Sequence, residues 1–129
     1  MRILLDTHAL LWALAAPEQL SPHGAALLRD ASNPILVSAA SAWEIATKHR
    51  LGKLPGAEAI IGGYSAHLRT LRAEDLPIRA EHALKAGSFD VEHRDPFDRV
   101  LAAQAILEGV PLLTNDRAFR LFTDVETIW

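Results

Sequence analysis

Cysteine is absent from this 129-residue chain, which excludes disulfides and thiolate metal sites. Long apolar runs are missing as well. None approaches the roughly 18 uninterrupted residues that a membrane helix requires, so a soluble protein is expected. The first residues, Met1-Arg2-Ile3-Leu4-Leu5-Asp6, meet a carboxylate after only three apolar positions, which is not the pattern of a signal peptide. The lack of thiols and of a secretion signal fits a reducing cytoplasm. No repeat, low-complexity stretch or internal linker interrupts the chain. A surplus of positive charge is also lacking: 13 Lys and Arg face 16 Asp and Glu, a formal net charge of −3. Taken alone, that argues against a nucleic-acid partner, because phosphate binders tend to be basic.

Half of the residues are hydrophobic, and the length suits one domain with a real core. Apolar runs alternate with helical patterns. Arg2 to Asp6 reads as a buried strand, followed by a helix from Thr7 to Ala16 with Leu10, Leu11 and Leu14 on one side. Ser21-Pro22 supplies a capping hydroxyl and a first-turn proline for a second helix, running to about Ala31. Pro34-Ile35-Leu36-Val37 is a second strand, apolar throughout as in parallel sheets covered on both faces. A third helix starts at Ser38 or Ser41, with Trp43, Ala46, Arg50 and Leu51 at helical spacing and Trp43 pointing to the core. Residues 57–72 form a helix loosened by Gly62-Gly63. Leu76-Pro77-Ile78 is a short strand and Arg79 to Ala86 a short helix. Asp95-Pro96 opens a helix that ends at Gly109, Val110 to Thr114 is a strand, Arg117 to Phe122 a helical turn or two, and Val125 to Trp129 a last strand. The expected fold is α/β, a three-layer α/β/α domain around a mostly parallel sheet of four or five strands.

Four acids stand where such a fold points side chains into one crevice. Asp6 and Asp116 follow strands, at the end of the sheet where α/β proteins bind ligands. Glu44 and Asp98 fall near the starts of helices. Each also has a plain structural explanation. Asp6 suits a helix N-cap. Glu44 has Lys48 four residues on, the favourable direction for an exposed pair. Asp98 interacts well with the helix dipole in a first turn. Asp95, before Pro96, suits an N-cap and is ranked below the other four as a member of the site. Asp98 shares a helical face with Leu101, Ala102 and Ala105, and an unpartnered acid on a packed face costs several kcal/mol. Together, four carboxylates in one place cannot all stay ionised without cations. An all-oxygen set is what Mg²⁺ or Mn²⁺ binds. Setting the four acids aside leaves 13 positive against 12 negative charges, or +1, which is compatible with an anionic substrate. His8 and His93 read as ordinary polar residues.

These residues carry a resemblance. Leu4-Leu5-Asp6-Thr7-His8, Ser41-Ala42-Trp43-Glu44-Ile45-Ala46, Asp95-Pro96-Phe97-Asp98-Arg99 with Ala102-Ala103-Gln104-Ala105, and Leu112-Leu113-Thr114-Asn115-Asp116 occur in the order found in PIN-domain ribonucleases. Specifically, the chain resembles the VapC-type toxins of bacterial toxin–antitoxin systems over essentially its whole length. The resemblance implies that Asp6, Glu44, Asp98 and Asp116 hold one or two Mg²⁺ or Mn²⁺ ions, with the hydroxyls of Thr7 and Thr114 ordering the site. It implies a homodimer, held inactive by a cognate antitoxin whose C-terminal segment fills the acidic groove. Operator DNA would be bound only through that antitoxin.

The expected chemistry is hydrolysis of RNA by an activated water, leaving 5′-phosphate and 3′-hydroxyl ends. Lys48, Arg50, Arg94 and Arg99 are candidate phosphate contacts by their nearness to the motifs. A phospho-acceptor receiver module is a rival α/β reading, but it wants adjacent acids after the first strand and an acceptor Asp after the third. Here one acid follows the first strand, and Ser38 follows Ile35-Leu36-Val37. The other rival is a catalytically silent PIN domain that binds RNA or serves as a scaffold.

Overall fold

Ile3, Leu4 and Leu5 are wholly excluded from solvent and form β1 (Ile3–Leu5), the middle strand of the sheet. The computed structural model describes residues 1–129. From β1 the chain runs through α1 (Thr7–Ala15), a 3₁₀ turn (Pro17–Gln19) and α2 (Pro22–Arg29) to β2 (Ile35–Ser38). It continues through α3 (Ala39–Arg50), α4 (Glu58–Gly62) and α5 (Tyr64–Thr70) to β3 (Ala73–Leu76). After α6 (Ala80–Ser88) and α7 (Pro96–Glu108) come β4 (Leu112–Leu113), a 3₁₀ segment (Arg117–Leu121) and β5 (Thr127–Ile128). The strand order is β3-β2-β1-β4-β5 and every neighbour pair is parallel. The sheet is therefore all-parallel, with five strands.

The period of two along the strands divides the core into two layers. Ile3, Leu5, Ile35, Val37 and Leu113 face one side, where they meet Ala9 and Leu10 of α1, Ile45 of α3 and Leu68 of α5. Leu4, Leu36 and Leu112 face the other, against Leu101, Ala102 and Ala105 of α7 and Phe119 and Phe122. Helices thus cover both faces, giving the three-layer α/β/α arrangement. Such burial is why the strands read as continuous apolar runs. Gly109, at φ 65°, ends α7 in the left-handed conformation and turns the chain into β4.

Several expected boundaries shift for local reasons. The third strand is Ala73–Leu76, ending before Pro77, which has no N–H for the ladder. The helix expected over 57–72 is two helices that meet at Gly63. The face of α3 is corrected too. Trp43 is 53% exposed, and Ala46, Arg50 and Leu51 are exposed with it, while Ala40, Ser41, Glu44 and Ile45 are buried. Spacing shows which residues share a face but not which face packs, and here the buried face carries a serine and a glutamate. Trp43 lies edge-on against Phe97 of α7, ring centroids 4.6 Å apart.

Candidate active site

The order β3-β2-β1-β4-β5 means that the chain leaves β1 toward one edge of the sheet and β4 toward the other. The carboxyl ends of β1 and β4 therefore flank the point where the order reverses, the usual place for a crevice in an open α/β sheet. Asp6 stands there, with its N–H donating to the Leu113 carbonyl at 3.1 Å. Its side chain caps α1: Oδ1 accepts from the Ala9 N–H at 2.7 Å, and Oδ2 accepts from the Thr114 hydroxyl. The Thr114 Oγ1 in turn accepts from the Asp116 N–H at 3.0 Å, which fixes the turn carrying Asp116. Asp6 is buried, and burial raises its carboxyl above the usual carboxylate range; the Asp116 charge pushes the same way. Asp116 itself is exposed and caps the following 3₁₀ segment by accepting from the Ala118 N–H.

A second acidic group lies where α3 and the start of α7 meet. Glu44 is only 3% exposed and is ion-paired with Lys48, one turn along α3. Asp98 is half-buried, and its Oδ2 lies 2.8 Å from Nε2 of His93. Burial pushes the Asp98 carboxyl up to about 6, with Asp95 and Glu44 adding repulsion and His93 opposing it. Burial also works against the Lys48 ammonium. The Glu44 carboxylate beside it, with Asp95 and Asp98 further off, prevails and holds Lys48 above its ordinary value. Asp95 caps α7, accepting from the N–H groups of Phe97 at 2.9 Å and Asp98 at 3.2 Å.

The two groups are joined by one buried hydrogen bond. The Thr7 hydroxyl, next to Asp6, donates to the Ser41 Oγ at 3.0 Å, one helical turn before Glu44. The expected quartet is thus brought to one end of the sheet as two sets: Asp6 with Asp116, and Glu44 with Asp98. No three of the chain's His, Asp and Glu side chains converge tightly enough to form a ready-made metal cage. The donor chemistry nevertheless fits a hard divalent ion, since every candidate ligand is a carboxylate oxygen and three are wholly or partly buried. Two of those three are met by an internal cation or a protonatable ring, and the third by a hydroxyl.

The candidate phosphate contacts fare differently. Arg50 and Arg94 are exposed, whereas Lys48 is held by Glu44. Arg99 does another job: its guanidinium donates to the carbonyls of Ala86 (2.9 Å), Phe89 and His93 (2.8 Å), stapling the loop before α7 to the helix. By sequence His93 is an ordinary polar residue and Ser41 an alternative helix start, whereas Ser38 is the N-cap of α3 and Ser41 bonds Thr7. The Arg99 staple brings His93 to Asp98, because it sets the loop so that a ring five residues before Asp98 folds back onto it. Only a residue-by-residue account of the backbone carbonyls could have shown this.

A family model for the PIN domain matches residues 3–124. The chain belongs to the PIN-domain family. Over 58 residues it is 45% identical to a protein named Ribonuclease VapC16 from Mycobacterium tuberculosis (strain ATCC 25618 / H37Rv). That stretch spans 45% of this chain and 40% of the relative. Among solved structures, the chain shares its fold with one of VapBC2 from Rickettsia felis bound to a promoter DNA fragment. The TM-score is 0.71 at 19% identity, covering 99% of this chain and 98% of the other. VapBC-1 from nontypeable Haemophilus influenzae gives a TM-score of 0.65 at 19% identity over 99% and 97%. FitAcB from Neisseria gonorrhoeae gives 0.58 at 21% over 98% and 96%. At these identities the likeness speaks for the PIN fold alone.

Proposed function

We propose that this PIN-domain protein is a divalent-metal-dependent endoribonuclease and the VapC-type toxin of a toxin–antitoxin pair. The observation that carries the reading is that Asp6 and Asp116 stand at the reversal point of a PIN-fold sheet, with Glu44 and Asp98 grouped beside them through the Thr7–Ser41 hydrogen bond, and that Asp6 and Asp98 are held above the usual carboxylate range. Burial of acids without enough positive charge nearby costs stability, and a bound cation would relieve that cost. The partial match to a protein named as a ribonuclease supports the same reading.

Asp6, Glu44, Asp98 and Asp116 would hold one or two Mg²⁺ or Mn²⁺ ions. Such an ion, when bound, lowers the pKa of a coordinated water and offsets charge on the oxygens of the phosphodiester undergoing displacement. The Ala9 N–H and the Thr114 hydroxyl fix both oxygens of Asp6, so its orientation is set before any ligand arrives. Thr114 does the same for the backbone of Asp116. Thr7 and Ser41 hold α1 against α3 and so keep Asp6 in register with Glu44. Lys48 is ion-paired with Glu44, and the His93 ring is hydrogen-bonded to Asp98, so both acids have partners within the protein. As the resemblance implies, a homodimer and an antitoxin segment covering the acidic groove belong to this reading, with operator DNA reached through the antitoxin in a reducing cytoplasm.

The test is cleavage of end-labelled structured RNA by the purified chain in Mg²⁺ or Mn²⁺, in EDTA, and by Asp98→Asn. Metal-dependent cutting that leaves 5′-phosphate ends and is lost in the variant is expected. Products ending in a 2′,3′-cyclic phosphate would overturn the water mechanism, and an unimpaired Asp98→Asn would transfer the role to Asp95. One observation favours a second reading, a silent PIN domain that binds RNA: Glu44 and Asp98 already have partners in Lys48 and His93. That reading predicts RNA binding without cutting under every metal condition.

A further inference from the structure

The acids that would do the cutting also repel the substrate. A divalent ion offsets charge at the reacting phosphate, but the neighbouring phosphates of an RNA strand need cations of their own. Lys48 and Arg99 are both occupied within the protein. Arg117 and Arg120, which follow Asp116 directly in the 3₁₀ segment, are not. Both are exposed, and neither takes part in any ion pair or side-chain hydrogen bond of the protein.

The two arginines line one open cleft of about 310 Å³ together with Thr114, Asp116 and Trp129. Thr114 is the residue whose hydroxyl bonds Asp6, so the cleft begins at the acidic site and leads away from it toward β5. Trp129 is half-buried, with its ring edge-on to Trp12 at 5.7 Å, and presents an aromatic surface on the cleft wall. Cationic groups beside an aromatic surface are the usual composition of a groove for single-stranded nucleic acid. A guanidinium fork also matches phosphate oxygens two at a time.

The geometry points to this cleft as the seat of the substrate backbone: Arg117 and Arg120 bind phosphates flanking the scissile one in a single-stranded segment of RNA. The inference rests on the ribonuclease reading and adds a path for the strand to it. Sequence proximity directs attention to Lys48, Arg50, Arg94 and Arg99, of which Lys48 and Arg99 are occupied and Arg50 and Arg94, though exposed, do not line this cleft. The structure moves it to the other side of Asp116, where the guanidiniums are free.

The test measures affinity for a fluorescently labelled single-stranded RNA by anisotropy, in EDTA and over a series of salt concentrations. The parent is Asp98→Asn, so that nothing is cut. Adding Arg117→Gln and Arg120→Gln is expected to weaken binding roughly tenfold. It should also lower the slope of log affinity against log salt by about 1.4, the value for two lost phosphate contacts on a single strand. The pair Arg69→Gln and Arg72→Gln, at the β3 edge of the sheet, is the control and should stay within about twofold. Affinity and slope unchanged in the Arg117/Arg120 pair, while the native chain still cuts RNA, would overturn the cleft and leave the nuclease reading standing. A native chain that neither binds nor cuts RNA would bring down the nuclease reading and the cleft with it. If the pair keeps its RNA affinity but loses affinity for a polyglutamate peptide, the cleft belongs to an acidic protein segment and the RNA path is wrong.

Discussion

Two histidine–carboxylate pairs flank α7, and they do different things with the same chemistry. At the end of the helix, His82 is completely buried and both of its ring nitrogens are used. Nδ1 accepts from the Arg79 N–H at 2.9 Å, so the proton sits on Nε2, which donates to Glu108 at 3.1 Å. That pair ties the start of α6 to the end of α7. At the start of the helix, His93 is partly exposed and uses only Nε2, on Asp98; its ring packs edge-on to Phe122. Its acid belongs to a cluster with Glu44 and Asp95. A fully buried histidine with both ring nitrogens satisfied is scaffold. A histidine with one nitrogen free, beside crowded carboxylates, is poised to exchange its partner for a ligand.

The largest expected effect on this contrast is catalytic. Asp98→Asn should lower metal-dependent cleavage by about a hundredfold or more, because it removes charge from a candidate ligand, while Glu108→Gln should stay within about twofold. Initial rates on one RNA in Mn²⁺ compare them; an equal loss in both would erase the distinction.

Stability should show the reverse ranking. His82→Ala opens a cavity and leaves the Arg79 N–H without its acceptor, a loss of about 2–4 kcal/mol. His93→Ala should cost about 1 kcal/mol or less, since its ring is partly solvated and makes one bond. Urea midpoints at constant slope decide, and a similar cost for both would make His93 scaffold as well.

A smaller effect concerns the arginine that positions His93. Arg99→Lys keeps the charge but cannot fork across the four carbonyls of Ala86, Phe89, Val91 and His93, and is expected to cost about 1–2 kcal/mol. Arg94→Lys, five residues away and exposed, should change stability by under about 0.5 kcal/mol. Thermal melts of the two side by side would show whether the staple is real.

The smallest effect is a slope. Asp98 titrates near 6 in the folded chain against 3.8 for an unperturbed carboxyl. Between those values the native state holds more of this proton than the unfolded state does, so its contribution favours folding below about pH 4 and is lost as pH rises toward about 6. Asp6, also raised, acts in the same direction. The difference in melting temperature between the native chain and Asp98→Asn, measured in EDTA, should therefore shift in favour of the variant as pH rises across that window. A difference that does not vary with pH would mean that burial does not hold the Asp98 proton.

Much of this was legible in the chain. The apolar runs at 3–5, 35–37 and 112–113 announced buried parallel strands, because a strand covered on both faces has no polar side to show. Ser21-Pro22, Asp95-Pro96 and Gly109 marked helix ends through capping and backbone conformation, and the structure puts them there. The plain explanations offered for the acids were physically sound as well. Asp6 and Asp95 do cap helices, and Glu44 does pair with Lys48. These local roles coexist with a place in the crevice, since a carboxylate has two oxygens and a cap uses one. What periodicity could not supply was the side of α3 that packs, and Trp43 went to the wrong face for that reason.

The sequence by itself determined which residue types stand at strand ends and helix starts, and hence that oxygen ligands, not sulfur, are available. Those are properties of short stretches, governed by backbone preferences and local hydrogen bonding. Only the tertiary structure decided that the acids divide into two sets joined through Thr7 and Ser41, that Arg99 is spent on carbonyls, and that Arg117 and Arg120 are free. The physical reason is that charge compensation depends on distances between groups remote in sequence. Asp6 and Thr114 are 108 residues apart along the chain and share one hydrogen bond, because β1 and β4 are neighbours in the sheet.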